Sequence, residues 1–337
     1  IRSVYAGIAG HHIRGQNSRG MVTVYHNRVV TEEDIRRVID AAQVLIPNDR
    51  EVLHILPQEF IVDDQDGVQN PLGMAAARLE VNVHIVTGSV TSAQNIIKCC
   101  NQSGLDVEDI VLEPLSSSQA VLNSDEQEVG VVLVDIGGGT TDVTVYSEGS
   151  IVHTAVLALG GNHLTHDIAI GLGAPLREAE EIKHKYGVAM VSMVEEDEMI
   201  DVPSVGGRNN RTMKKRVLAS IIEDRFREIF ELIAHEIEKT PFHTLMASGV
   251  VITGGTCIMS GADRLASQVL NLPVRVGYPE NISGLREMIY SPKYATSVGL
   301  VRYGITSNQG KLNFAGDDTN LFNKVSRRMK DWMQDFF

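Results

Sequence analysis

The densest chemical signal in the chain is Val131-Val-Leu-Val-Asp-Ile-Gly-Gly-Gly-Thr-Thr-Asp-Val-Thr-Val-Tyr146. An apolar strand ends in Asp135, three glycines turn the chain, two hydroxyls follow, and a second strand returns. Glycines 137, 138 and 139 carry no Cβ, so successive backbone N–H groups can close on an anion. Asp135 would then face a divalent ion through water, because Mg²⁺ keeps much of its hydration shell. A hairpin whose glycines merely permit a tight turn is the plainer alternative. The acid, the glycine run and the paired threonines between two apolar strands favour phosphate binding.

Two weaker glycine motifs repeat the theme. Val250-Val-Ile-Thr-Gly-Gly-Thr256 reads as a strand whose Gly254-Gly255 end lets backbone lie against a flat base or a phosphate, with a helix over 257–266 behind it. Gly160-Gly161-Asn162 precedes a helix over 164–171. Glu180 and Lys183, three apart, share one face of the next helix.

Other constellations carry less. His163 and His166 lack a third metal ligand nearby and read as capping or solvated residues. His235-Glu236 lacks the second histidine of a zinc protease motif. Gly304 to Gly310-Lys311 has the wrong spacing for a P-loop, and Leu312 stands where one needs Ser or Thr. Glu195–Glu198 reads as a solvated loop.

The C-terminal segment is a different kind of signal. At about 100° per residue, Leu321, Phe322, Val325, Met329, Trp332, Met333, Phe336 and Phe337 fall within roughly 160° of arc. Lys324, Arg327, Arg328 and Lys330 flank that face with Asp331 and Asp335. A helix of this length spans about 26 Å with two unlike faces, so it is expected to lie in an anionic membrane interface rather than cross it. Docking on the protein's own surface is the alternative, and the Ser/Asn/Gly/Asp-rich linker ahead of the helix argues against it.

The elements that position these residues follow from periodicity. A strand over Val4–Ile8, another over 21–25 and a helix capped by Thr31 with Asp34 open the chain. Strand-like runs at 51–55 and 60–62 follow, and then an alternating strand at 80–86. Together they form a small α+β unit over roughly the first 87 residues. After it come a helix from Thr91, a strand over 107–112, a helix from Ser116 and the phosphate strand, a βα alternation that predicts a sheet covered by helices. A helix-rich charged stretch occupies 176–240, and the body closes near Tyr303.

Composition sets the outer limits. The 337 residues allow about two domains. With 43% hydrophobic and 22% charged residues, wholesale disorder is excluded. A net charge of −13 disfavours nucleic acid as a partner. Cys99, Cys100 and Cys257 suit a reducing compartment better than a disulfide framework. The start at Ile1, without Met, suggests that a preceding segment has been removed.

The order of these motifs, with Glu113-Pro114 ahead of the phosphate strand, resembles the actin/Hsp70/sugar-kinase ATPase superfamily. The small α+β unit, Val202-Pro-Ser-Val-Gly-Gly207 and the amphipathic tail narrow the resemblance to the bacterial FtsA family over essentially the whole chain. The resemblance implies an α/β, actin-like fold of duplicated sheet-plus-helix domains with an FtsA-type small α+β subdomain. It divides the chain into 1–87 (small subdomain with the tail end of the first actin-like domain), 88–141 (its remainder) and 142–304 (the second actin-like domain, with its outer subdomain at 176–245). A linker over 305–320 and a membrane helix over 321–337 complete the chain.

It further implies ATP or ADP with Mg²⁺ as cofactors, Asp135 as the metal-facing acid, and Gly137, Gly138, Gly139 and Thr140 as a phosphate loop. Gly160, Gly161, Asn162, Gly254 and Gly255 complete the nucleotide contacts, with Glu180 and Lys183 at ribose or adenine. Glu113 matches an acid that positions water; with Thr140 and Thr141 as the other water contacts, slow hydrolysis at most is expected. The family's earlier Asp-x-Gly-Thr turn has no counterpart, which predicts that an N-terminal portion lies outside this sequence.

Implied partners are the FtsZ C-terminal peptide at Arg225 or Arg227, further copies of the chain in filaments, anionic lipid and other division proteins. The implied location is the cytoplasmic face of the bacterial inner membrane at the division site. A sugar- or acetate-kinase-type phosphotransferase is the rival reading; it predicts a small-molecule pocket and no membrane tail. An Hsp70-like chaperone would need a peptide-binding domain, for which too few residues follow Tyr303.

Overall fold

The computed structural model describes residues 2–309, except 26–27, 44–45, 204–210, 241–245, 281 and 283–285. The amphipathic segment 321–337 and most of the segment read as a linker lie outside the described residues.

The chain opens with β1 (Ser3–Ile8) and then makes a self-contained unit. This unit comprises β2 (Arg14–Thr23), α1 (Glu32–Ala41), β3 (Arg50–Val62), β4 (Gln65–Val68) and β5 (Arg78–Ser89), in the antiparallel order β2-β5-β3-β4. Thr31 caps α1 as its spacing predicts: its hydroxyl accepts from the Asp34 N–H at 3.3 Å, and the Asp34 carboxylate accepts from the Thr31 N–H at 3.1 Å. Ile35, Val38 and Ile39 of α1 are buried against Leu79, Val81 and Val83 of β5.

Two expectations change here. The second strand starts at Arg14 rather than 21, because its polar first half is held by ladder bonds to β5 that leave no mark in hydropathy. The runs at 51–55 and 60–62 are one strand, since the break at Pro57 is absorbed by a bulge between Pro57 and Glu59.

The chain then forms α2 (Val90–Gln102), β6 (Asp106–Leu112), α3 (Glu113–Val121) and α4 (Ser124–Val129). β6 pairs in parallel with β1, outside the inserted unit. α3 begins at Glu113 rather than 116, with Pro114 in its first turn, where the missing N–H costs nothing.

β7 (Val131–Ile136), β8 (Thr141–Ser147) and β9 (Ser150–Leu157) form an antiparallel run. α5 (Gly161–Leu172), α6 (Leu176–Tyr186), β10 (Met199–Val202), β11 (Arg211–Lys214) and α7 (Lys215–Glu238) follow. β12 (Val250–Thr253), α8 (Ala262–Leu270), β13 (Val274–Val276), α9 (Arg286–Ile289) and α10 (Ala295–Gln309) complete the described chain. The five-stranded sheet runs β13-β12-β7-β8-β9. On one face it packs on α5, α7 and α8 through residues such as Ile168, Phe226, Phe230 and Leu265. On the other face Val131, Leu133 and Val251 pack against α3 and α10 through Ala120, Val121 and Ala295.

The helix expected over 257–266 is instead a short turn at Thr256–Ile258 followed by α8. The extended backbone at Met259 ends the first piece, and Gly261, at φ +85° in the left-handed region, stands at the N-cap of α8. α10 continues to Gln309, into the segment read as linker from 305.

The inserted unit meets the five-stranded sheet through polar groups. His84 of β5 is 1% exposed; its Nδ1–H donates to Asn17 Oδ1 at 2.6 Å, and its Nε2 accepts from the Thr154 hydroxyl of β9 at 2.9 Å. The Asn17 amide donates to Val152 O and the Gln58 amide to Ile151 O. Burial lowers His84 to a pKa of about 4, which keeps the ring neutral and fixes this donor–acceptor arrangement.

Candidate functional site

The turn between β7 and β8 is held from three directions. Gly137 N–H donates to Thr140 O at 2.9 Å, closing the turn on itself. The outward carbonyls of Gly137 and Gly138 accept from the N–H groups of Gly161 (3.0 Å) and Asn162 (2.7 Å), at the start of α5. Behind Gly254-Gly255, the Thr256 hydroxyl donates to Gly137 O at 2.9 Å. All three glycine motifs of the sequence therefore meet at one place, with the first N–H groups of α5 spent on holding the turn.

Glycine is required at two of these positions. A Cβ on Gly160 would stand 2.7 Å from Gly137 O and 2.8 Å from Gly138 O. Gly254 lies at φ +90°, and a Cβ there would collide with Asp135 Oδ1 and Ile136 O. Gly138 and Gly139 are exposed, and nothing lies within 4 Å of the place a Gly139 Cβ would take, so the turn is open where an anion would approach.

Three carboxylates line the floor. Asp135, at the end of β7, keeps partial exposure while its carboxyl group sits deep among protein atoms; Ser117 donates to its Oδ2 at 2.6 Å and Thr296 at 3.2 Å. Burial raises Asp135 against those two hydrogen bonds. Glu113 is raised by burial and by the charge of Asp135. Asp142 is 4% exposed and is pushed up to about 8 by burial first, then by Asp135 and Glu113. Its Oδ1 is buried with no hydrogen-bond partner, while Oδ2 takes only a long contact from Thr140 at 3.5 Å.

Among the described residues, no Lys or Arg pairs with any of these three acids. An orphaned carboxylate oxygen beside two further acids fits a divalent cation. No three acidic, His or Cys side chains among the described residues could enclose a metal alone, so a cation here would take water or phosphate oxygen for most of its ligands, as Mg²⁺ does.

The remaining candidates divide. Glu180 borders a cavity of about 960 Å³, lined also by Asn162, His163, Thr165 and His166. Burial alone would raise Glu180, but Lys183 and Thr165 outweigh it and hold the carboxyl below its ordinary range. Lys183 is turned inward: its ammonium donates to Gly161 O at 3.1 Å and to the Thr165 hydroxyl at 2.8 Å, and pairs with Glu180 at 2.7 Å. It supports the α5 start from beneath rather than facing the cavity. Thr141 is fully buried and gives its hydroxyl to Leu159 O at 2.9 Å, which removes it as a water contact. Thr140 stays at the turn, half-buried.

Arg225 and Arg227 lie on α7, and Arg225 lines the same cavity as Asn162 and Glu180. Arg225 binds Asp167 of α5 through both nitrogens, at 2.6 and 3.0 Å, and also Glu228. Arg227 is exposed and pairs with Glu223 one turn back at 3.0 Å. His163 caps α5, its Nδ1 accepting from Gly160 N–H at 3.2 Å. Glu198 of the charged loop pairs with Lys215 at 2.8 Å.

The residues that sequence reading left without a role are Asp142, Ser117, Thr256 and Thr296. Asp142 closes the phosphate motif and carried a signal in its position; the three hydroxyls carry none.

The profile described as "Cell division protein FtsA" matches residues 132–299, and that described as "SHS2 domain inserted in FTSA" matches residues 10–87. The cell division protein FtsA of Pseudomonas aeruginosa is 44% identical over 343 aligned positions, spanning 100% of this chain and 82% of that protein. Among solved structures, the PilM–PilN type IV pilus biogenesis complex superposes with a TM-score of 0.62 at 16% identity, covering 90% of this chain and 80% of that one. MreB5 of Spiroplasma citri bound to ADP superposes at 0.54 and 18% identity, covering 67% and 68%. These likenesses bear out the actin-like α/β fold. With its inserted α+β unit, its two matching family profiles and its likeness to a curated relative along the whole of this chain, the chain belongs to the FtsA family of cell-division proteins.

Proposed function

We propose that this chain binds ATP or ADP with Mg²⁺ at the β7–β8 turn and uses the nucleotide as a conformational switch for self-assembly. In the same reading it tethers FtsZ filaments to the cytoplasmic face of the inner membrane at the division site. The observation that carries the nucleotide site is the convergence of Gly137–Thr140, the α5 start and Gly254-Gly255 above an orphaned Asp142 oxygen.

In this arrangement the open amides of the turn, which the α5 start holds in shape, bind phosphate. Asp135 and Asp142 hold the cation's water shell, and Glu180 faces the sugar or base from the edge of its cavity. Bound Mg²⁺ would offset the phosphate charge. Glu113 is the carboxylate placed to orient a water. With Thr141 committed to Leu159 O, a single acid without an arginine partner supports slow hydrolysis that changes shape rather than rapid turnover.

Membrane attachment rests on the amphipathic face of 321–337 and its basic flanks. For the acidic FtsZ peptide, Arg227 is the more available cation, because Arg225 would first have to release Asp167. Family membership supports self-assembly and contact with other division proteins.

The test is calorimetric titration of ATP with and without Mg²⁺ into the purified protein and its Asp135→Ala variant. Saturable Mg²⁺-enhanced binding, weakened at least about tenfold by the variant, is expected, since a tenfold loss corresponds to about 1.4 kcal/mol, within the range for one charged contact. No binding at millimolar ATP, or equal affinities, overturns the assignment.

A further inference from the structure

The carboxylate of Asp135 is held by two helices that do not belong to its sheet. Ser117 sits on α3 and Thr296 in the first turn of α10, 179 positions apart, and their hydroxyls lie 3.0 Å from each other. Both donate to the same oxygen, Asp135 Oδ2, at 2.6 and 3.2 Å.

The crossing that brings them together is tight. A Cβ on Gly299, one turn after Thr296, would overlap the carbonyl of Ser116, so the helix backbones are in contact beside the hydroxyl pair. α10 also packs on β1, and α3 on both β6 and β7, so the helix pair lies between the β1–β6 pair and the five-stranded sheet that carries the phosphate turn.

We propose that Ser117 and Thr296 are positioning residues for the cation. On this proposal the hydroxyl pair at the α3–α10 crossing sets the Asp135 carboxylate, and divalent-cation affinity therefore depends on where these two helices sit against β7. The proposal rests on the nucleotide reading above and adds to it a mechanical link. A carboxylate fixed by two donors has one orientation available when a hydrated ion arrives. One freed from them must be ordered on binding. Movement of the helix pair relative to β7 draws both donors away together, which lowers cation affinity without touching the phosphate amides.

The experiment separates the metal from the nucleotide. Mg²⁺ is titrated into the purified protein with a fluorescent ATP analogue, and binding of the analogue is measured separately in EDTA. The variants are Ser117→Ala, Thr296→Val, the double variant and Ser117→Thr, which keeps a hydroxyl.

The double variant is expected to need about tenfold more Mg²⁺ for half-saturation, as loss of hydrogen bonds to a charged group predicts, with EDTA affinity changed less than about twofold. Ser117→Thr is expected to retain most of the wild-type response, which a variant that merely loosens the fold would not reproduce. Unchanged Mg²⁺ half-saturation in the double variant overturns the proposal. So does a parallel fall of the Mg²⁺ and EDTA affinities. Were the unsubstituted protein to bind the analogue with no Mg²⁺ effect, the metal assignment itself would fall and the clamp with it; that result is distinct from failure of the variants alone.

Discussion

Lys183 lies directly beneath Gly161: its ammonium reaches the Gly161 carbonyl oxygen at 3.1 Å from a position only 9% exposed. Because the Gly161 N–H in turn donates to Gly137 O, a buried cation on α6 supports the backbone that shapes the phosphate turn. Lys183→Met keeps the stem's bulk and removes the charge, so Glu180 loses its lysine and Gly161 O and the Thr165 hydroxyl each lose one donor, while Thr165 still reaches Gly161 O and His184 still reaches Glu180. A loss of about 1–2 kcal/mol is expected, the range for hydrogen bonds made by a charged group whose partners keep other bonds, read as a lower urea midpoint. An unchanged midpoint would show that solvent replaces the ammonium.

The pH dependence of stability should carry the signature of Asp142. Its carboxyl is raised from 3.8 to about 8 in the folded state, so between those values the native protein holds a proton that the unfolded chain has lost. Stability is therefore highest at the acid end of this window, falls as pH rises through it, and levels off above about 8. Asp142→Asn cannot ionise. Urea melts of both proteins from pH 5 to 9 should show the variant gaining on the wild type as pH rises, and parallel curves would contradict the buried-acid account.

Arg225 and Arg227 should separate under substitution. Arg225→Ala leaves Asp167 half-buried and unpaired, and a drop in thermal midpoint equivalent to about 1–2 kcal/mol is expected. Arg227→Ala removes one exposed pair of a kind worth about 0.3–0.5 kcal/mol, and the melt should barely move. Binding of an acidic FtsZ-tail peptide, followed by fluorescence anisotropy, should weaken more in Arg227→Glu than its melt would suggest. Equal anisotropy curves would place the peptide elsewhere.

Removing residues 321–337 should abolish co-sedimentation with vesicles containing anionic lipid while leaving nucleotide affinity in place. The test for the face itself is Trp332→Glu with Phe336→Glu, which inserts charge into the apolar arc. Retained vesicle binding in that variant would rule out the interfacial helix.

Much of the site was legible because its chemistry is contiguous. Asp135 to Asp142 reads as one motif, and the Thr31–Asp34 cap follows from a three-residue spacing that the fold realises. What stayed hidden depends on distance along the chain. Ser117 and Thr296 are ordinary helix residues until folding brings their hydroxyls together, and Arg225 finds Asp167 58 positions away. Hydropathy was silent where backbone pairing decides: the polar half of β2 and the bulge at Pro57 both belong to long strands without alternating through them. Thr141 was misjudged for the opposite reason, since adjacency to the turn does not say on which side of a pleat a side chain falls.

β9 has one further consequence. At Leu157 the strand is in register with Thr141, the first residue after the phosphate turn, and at Thr154 it receives the imidazole of the inserted unit. Three residues of extended chain separate these points, about 10 Å. A rod that short has little give, so a tilt imposed at one attachment is carried to the other, and a ligand bound at the glycine turn as proposed would bear on the attitude of the inserted unit.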